Sequence, residues 1–316
     1  MTEIICGVDV ASQTLDARIG RDGVWRQFTR TPEGTDALAA FCKEQQVTLV
    51  VMEATGGYER LAFAQLWAAG VAVAIANPRA VRRFADGMGV LEKTDRIDCG
   101  MIAWYAETRR LKPLQPASQT QQELLALVVR LRQLVEARVT QRNQRRLVSN
   151  ARVQESFAAI LAALTREIRK LETAIAEAIA VDPAWAALAR AFRSIKGVAD
   201  RTVARLLAQM PEIGAISNKA AAKLAGLAPI ARDSGKQNGR RPVRGGREGV
   251  RSILFVVAEV VRRHEPDFAA FYRKLCAAGK PKKLVRIALA RKLLVRLNAK
   301  ARDIRATFAG AAAASA

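Results

Sequence analysis

Residues 4–10 (IICGVDV) form an unbroken run rich in β-branched side chains, which predicts a buried strand, and the run carries one acid, Asp9. Segments 14–19 and 24–29, joined across Gly20 to Gly23, predict a hairpin behind it. Pro32 and Glu33 open a helix reaching about Gln46. A second buried run, 47–52, ends on Glu53, and Gly56 and Gly57 hand it to a helix over 58–69. Gly70 stops that helix, 71–76 reads as a strand, and Asn77 with Pro78 starts a short helix. After a Gly-bearing loop, an apolar helix runs from Asp95 through Met101, Ile102 and Trp104 to Arg109. Three strands in a meander followed by alternating helices and strands predict a mixed α/β sheet with helices packed on it.

The period changes at Gln121. From there to Ile179 the chain has neither Gly nor Pro, and Leu124, Val128, Leu131 and Val135 recur at spacings of four and three, as do Leu164, Ile168, Leu171 and Ile175. Two long helices of coiled-coil character are expected, closed at Asp182 and Pro183. Residues 192–209 read as a helix, a tight turn at Gly197 and a second helix, in the manner of a helix-hairpin-helix, with Ala199 where that pattern has its second Gly. Further helices are expected over 220–227, 252–263, 269–277 and 284–301, whereas the Ala-rich tail beyond Phe308 is expected to carry no structure. The chain thus divides into an α/β domain (1–112), an α-helical coiled-coil linker (113–182), a mainly α C-terminal domain (183–308) and a disordered tail (309–316).

Charge narrows the partners. The 316 residues hold 52 Lys and Arg against 29 Asp and Glu, a formal net charge of +23, and half of the positions are apolar. A core is therefore available, and a polyanion is the expected partner, nucleic acid first. No apolar run is long enough to span a bilayer and the N-terminus is not signal-like, so a cytoplasmic, nucleoid-associated location without a membrane partner is expected. Cys6, Cys42, Cys99 and Cys276 are scattered beside one histidine, His264, which argues against zinc and against a disulfide framework.

Against this basic background four acids stand out. Asp9 and Glu53 end apolar strands, where a carboxylate is costly unless paired, hydrogen-bonded or metal-bound. Asp95 and Asp98 sit three apart at the head of a helix, on one face. Either Thr94 and Asp95 cap the helix and Asp98 favours its positive end, or the pair holds an ion, for which an oxygen-only site suits Mg²⁺ or Mn²⁺. The inferred topology can bring all four acids to one edge of the sheet.

Two basic stretches complete the picture. Arg138, Arg142, Arg145, Arg146 and Arg152 interrupt the apolar stripe between the long helices, as a solvated face or as a phosphate-contacting one. Residues 232–251 carry seven Lys or Arg and five Gly, among them Lys236, Arg240, Arg241, Arg244, Arg247 and Arg251. Glycines let a phosphate approach the backbone while arginines neutralise it. This is either a loop that holds nucleic acid or one in which Ser234 acts as a nucleophile beside a scissile phosphate.

Taken in order, GVDVA (7–11), EATG (53–56), KTDRID (93–98), the 192–199 turn, KLAGLAP (223–229) and DSG (233–235) resemble the DEDD transposases of bacterial insertion sequences that use a bridge RNA. The resemblance spans nearly the whole chain and implies an RNase H/RuvC-like N-terminal domain, a coiled-coil linker and a C-terminal transposase domain. By their places in these motifs, Asp9, Glu53, Asp95 and Asp98 correspond to the family's metal-binding acids and Ser234 to the serine that attacks DNA. It further implies an RNA-guided recombinase that takes target and donor DNA with a noncoding bridge RNA. A homo-oligomer, dimer or tetramer, is implied too, in which the acids of one subunit serve the serine of another. The rivals are a metal-dependent junction nuclease that uses water, and a nucleic-acid-binding protein without activity.

Overall fold

The computed structural model describes residues 3–92, 94–231, 233–234, 237–239 and 241–314, in two compact units that meet in sequence at Ala117 and Ser118. In the first, β1 (Ile5–Val10), β2 (Thr14–Ile19) and β3 (Trp25–Thr29) form the expected antiparallel meander. β4 (Leu49–Glu53) lies parallel to β1, and β5 (Val73–Ala76) parallel to β4, for a strand order β3-β2-β1-β4-β5. Four helices cover the sheet: α1 (Pro32–Glu44), α2 (Glu59–Ala68), α3 (Pro78–Gly87) and α4 (Asp95–Arg109).

Strand alternation sorts side chains between two layers. Cys6, Val8 and Val10 of β1 and Val50 and Met52 of β4 pack with Leu38 and Phe41 of α1 and Leu66 of α2. Ile5 of β1 and Leu49 and Val51 of β4 pack on the other side with Val81 of α3 and Met101, Ile102 and Ala103 of α4. By the same alternation Gly7, Asp9 and Glu53 belong to the α3 and α4 side. At Gly7 helix and strand touch backbone to backbone: a Cβ there would lie 2.0 Å from the Cys99 carbonyl oxygen and 2.6 Å from the Ala103 nitrogen. Gly7→Ala is therefore expected to push α4 outward, at a cost of about 1–3 kcal/mol. Chemical denaturation of the variant checks this, and an unchanged midpoint would mean that the layer can yield.

Among its described residues the second unit is helical apart from one hairpin. It comprises α5 (Gln119–Arg145), α6 (Ala151–Val181), α7 (Pro183–Arg193), α8 (Asp200–Gln209), α9 (Asn218–Leu224), β6 (Asp233–Ser234), β7 (Gln237–Asn238), α10 (Glu248–His264), α11 (Pro266–Ala277) and α12 (Lys282–Ala314). Leu124, Val128 and Leu131 of α5 and Ile168 and Ile175 of α6 are buried, as their spacing implied. Their cluster does not stop at a linker boundary: it continues through Phe192, Leu206, Leu254, Phe268 and Leu293, so α5 and α6 share one core with the C-terminal helices. The tail expected to be unstructured instead extends α12 to Ala314, since alanine has the highest intrinsic helix propensity and the preceding helix removes the cost of nucleation. Asn298, fully buried in α12, is satisfied on both sides, its Oδ1 accepting from the Gly214 N–H at 2.8 Å and its Nδ2 donating to the Ile216 carbonyl at 3.0 Å. Among the described residues no helix is long and apolar enough to cross a membrane.

Candidate functional site

The first unit carries a cavity at the carboxyl ends of β1 and β4, where side chains of different elements meet in an α/β sheet. Val8 pairs with Met52 in the parallel register, and Asp9 and Glu53 stand one step further along the two strands. Behind Glu53 the chain turns through Gly56 and Gly57, whose φ of 68° and 112° favour glycine. Glu59 Oε2 secures this turn by accepting from the Thr55 and Gly57 N–H groups at 3.1 and 2.9 Å. On the opposite wall Thr94 caps α4, its Oγ1 accepting from the Ile97 N–H at 3.2 Å. With capping done by Thr94, Asp95 and Asp98 occupy the first turn, Asp95 exposed and Asp98 half-buried, and both border the cavity.

All four acids line this cavity of about 330 Å³, together with Pro78, Arg79, Arg82 and Met101. Burial, and then the charges of Asp98 and Asp95, hold the Asp9 carboxyl above its ordinary range. The three acids therefore share one electrostatic environment. Among the described residues no group of three or more His, Cys, Asp or Glu side chains stands, as placed, where it could hold a metal ion. The donor set nevertheless suits a hard divalent cation: every donor is a carboxylate oxygen, and the repulsion that burdens Asp9 is of the kind a cation relieves.

Three residues of this site escaped the sequence analysis. Asp16 pairs directly across from Asp9 in the β1–β2 register and is 1% exposed, so a fifth carboxyl lies on the same face. Gln27 Nε2 donates to both Asp16 oxygens at 3.1 and 3.2 Å, which offsets part of the burial that drives that carboxyl upward. Arg79 and Arg82 of α3 add positive charge to the lining of the same cavity, Arg82 also pairing with Asp86 at 3.1 Å. In the first turns of α4, burial pushes the Cys99 thiol up to about 12, which keeps it protonated and inert.

Ser234 belongs to the second unit, on β6, where the backbone register pairs it with Gln237 and Asp233 with Asn238. The side chains of this two-strand hairpin, and Lys236 and Arg240, lie outside the described residues. The neck of the loop is closed by an antiparallel bridge between Pro229 and Val243 and by the Ile230 N–H donating to the Pro242 carbonyl at 3.0 Å. Arg241 and Arg244 are exposed. Arg247, expected to contact nucleic acid, is committed elsewhere. Its guanidinium grips Glu212 with two hydrogen bonds, one of 2.6 Å, and donates to the Gln209 carbonyl at 2.8 Å, since a partly buried fork is better satisfied by a carboxylate than by water. Arg251 donates to the Gly245 carbonyl at 2.7 Å and supports the same loop from inside. Arg138, Arg142, Arg145 and Arg146 line a separate groove at the far end of α5.

Comparison with known proteins bears on both units. A family model of the DEDD IS110 kind, described as "Transposase", matches residues 6–150, and one described as "Transposase IS116/IS110/IS902 family" matches residues 189–273. The chain is 28% identical over 315 residues to the pilin gene-inverting protein of Moraxella lacunata, a match spanning 93% of this chain and 94% of that protein. The pilin gene-inverting protein of Moraxella bovis matches equally, at 28% over the same shares. Among solved structures, T. thermophilus RuvC in complex with a Holliday junction substrate is 17% identical, with a TM-score of 0.27, over 36% of this chain and all of that one. A likeness so slight leaves the fold to rest on the strand order itself.

Proposed function

Because the chain belongs to the IS110 family of transposases and is a DNA recombination enzyme, we propose that it cuts and rejoins the strands of an insertion sequence through Asp9, Glu53, Asp95, Asp98 and Ser234. The four acids form its divalent-metal site and Ser234 is its nucleophile. The observation that supports this most is the meeting of four acids, far apart in sequence, in a single cavity of a strongly basic chain. A bound Mg²⁺ or Mn²⁺ would supply Lewis acidity and charge neutralisation at the scissile phosphate. The acids hold that charge in place, and Arg79 and Arg82 attract the phosphodiester to the rim.

Ser234 Oγ attacks phosphorus, forming a phosphoserine ester as the bond to one sugar oxygen breaks. The departing sugar oxygen takes up a proton as the serine hydroxyl gives one up. One ester replaces another, so the link is as reactive as the bond it replaced, and a different sugar hydroxyl can reverse the step without ATP. The acids and Ser234 fall in separate units of the chain, which is compatible with a dimer or tetramer in which one subunit's acids serve another's serine. Choice of target and donor is assigned to base pairing with a noncoding bridge RNA, the protein supplying backbone contacts, as in other RNA-guided systems.

The test is to incubate the protein with Mg²⁺, the RNA transcribed from the noncoding DNA beside its gene, and donor and target DNA, and to quench in detergent. A DNA-linked peptide containing Ser234 is expected. Free DNA ends without linked protein would instead make water the nucleophile. Intact DNA with every divalent ion tried would overturn the reading altogether.

A further inference from the structure

The α5–α6 hairpin ends in an open groove of about 1210 Å³, lined along α5 by Arg138, Arg142, Arg145 and Arg146 and along α6 by Arg166, Arg169 and Lys170. We propose that this groove is a second nucleic-acid site, one that grips the phosphodiester backbone without reading bases. The proposal rests on the nucleic-acid function above and adds to it a binding surface remote in sequence from the acids and from Ser234.

Its walls are built by helical spacing. Arg138, Arg142 and Arg145 or Arg146 recur at four and three or four along α5, and Arg166, Arg169 and Lys170 at three and four along α6, so each helix presents a row of cations to the same concavity. From Arg138 to Lys170 the sequence holds eight Lys and Arg and two acids, Glu155 and Glu167. Glu167 answers two of them, Lys170 at 3.0 Å and Arg166 at 3.8 Å. Among the described residues Arg138, Arg142, Arg146 and Arg169 make no ion pair, and Arg138 Nε is buried with no hydrogen-bond partner. Arg142, Arg145, Arg146, Arg166, Arg169 and Lys170 are exposed, but they are not scattered over a solvated face. Here they converge on a hollow, where like charges focus the field and an orphaned donor awaits an acceptor.

The lining also indicates which ligand chemistry fits. It contains no Phe, Tyr or Trp on which a base could stack, and apart from the cations it offers Gln154, Thr165, Thr173 and small apolar side chains. Phosphate oxygens satisfy a dense set of cations of this kind, and a phosphate grip needs no ring for a base to stack on. Duplex DNA and RNA share that chemistry.

The experiment measures affinity of the full-length protein for a labelled DNA duplex and for a labelled RNA strand as a function of salt. The test protein is the variant Arg142→Gln, Arg146→Gln, Arg169→Gln. A control variant, Lys280→Gln, Lys282→Gln, Lys283→Gln, loses equal charge outside the groove. For the occupant polymer, the slope of log affinity against log salt is expected to flatten by roughly 2–3, at about 0.9 per lost contact on duplex or 0.7 on a single strand. The control should flatten by less than about 1. Loss on DNA alone, on RNA alone or on both identifies the occupant. Unchanged slopes for both polymers, or an equal loss in the control, overturn the groove. Wild-type binding and Ser234-linked DNA would survive that failure, so it is distinct from failure of the recombinase reading. Should the triple variant melt early, the single exposed changes Arg146→Gln and Arg169→Gln carry the same test, each worth about one contact.

Discussion

Ser234→Ala is expected to abolish protein-linked DNA and to lower recombination by at least about 10³-fold, because removing the proposed nucleophile takes away the bond-forming atom itself. Binding should survive. The hairpin that carries residue 234 is held by backbone pairing with Gln237, its neck by the Pro229 to Val243 bridge, and the following segment by the Arg247 clamp on Glu212. None of these uses the serine side chain. The measurement pairs a plasmid recombination assay with gel-shift affinities for DNA and for RNA, which should stay within about twofold of wild type. Strand exchange that persists in the alanine variant would falsify the serine mechanism while leaving the family assignment untouched.

Asp9→Asn should move activity and stability in opposite directions. If Asp9 is a metal ligand as proposed, losing its oxygen is expected to cut metal-dependent strand cleavage by more than the roughly 10–100-fold that outer-shell changes cost. Stability follows from linkage. Burial, followed by the charges of Asp98 and Asp95, raises the Asp9 carboxyl above its ordinary 3.8, so the folded state holds that proton more tightly than the unfolded chain does. The contribution of Asp9 to stability is therefore complete below 3.8 and lost as pH rises through its raised folded value. At neutral pH the ionised group works against the fold, and the uncharged amide removes that burden. The metal-free variant should melt above metal-free wild type at pH 7, with the gap narrowing as pH falls toward 4. Saturating Mg²⁺ should raise the melting temperature of wild type and close most of the difference. A variant that melts lower at pH 7, without any Mg²⁺ effect on wild type, would make Asp9 a structural acid.

The first unit was the more legible of the two, for physical reasons. Short β-branched runs between turn residues are local signals, and all five strands lie within two residues of their expected positions. Alternation then does more than mark a strand. It puts Glu53 on the side of Leu49 and Val51, and Asp9 on the side of Ile5, so the shared face of the acids follows from counting by twos. Asp16 was not legible, because a lone acid on a hairpin strand reads as a solvent-facing position. Only the pairing of Asp9 with Asp16 reveals otherwise, and register is a long-range property. Arg79 and Arg82 were missed for a similar reason, since nothing local says that a short helix after Pro78 will roof a cavity.

In the second unit periodicity found the helices but not their partners. The stripes of α5 and α6 satisfy each other by spacing alone, yet the same side chains also meet Phe192 and Leu206, which no heptad announces. The β6–β7 pair is too short for any alternation to be seen, and Arg247 reads as one more cation until Glu212 is found beside it. Composition located the basic loop, while the division of labour among its arginines is a matter of three-dimensional contact.

The bare meeting of α4 with β1 at Gly7 sets how this enzyme can drift. With no side chain interposed, a helix bearing two acids and a strand bearing a third have no cushion between them, and any swelling of that layer is passed straight to the carboxylates. The layer holding Leu38, Phe41 and Leu66 lies across the sheet from the acids. Volume changes there should wear away stability long before they touch turnover, so lineages of this protein are free to remodel one side of the sheet while the other is kept almost atom for atom.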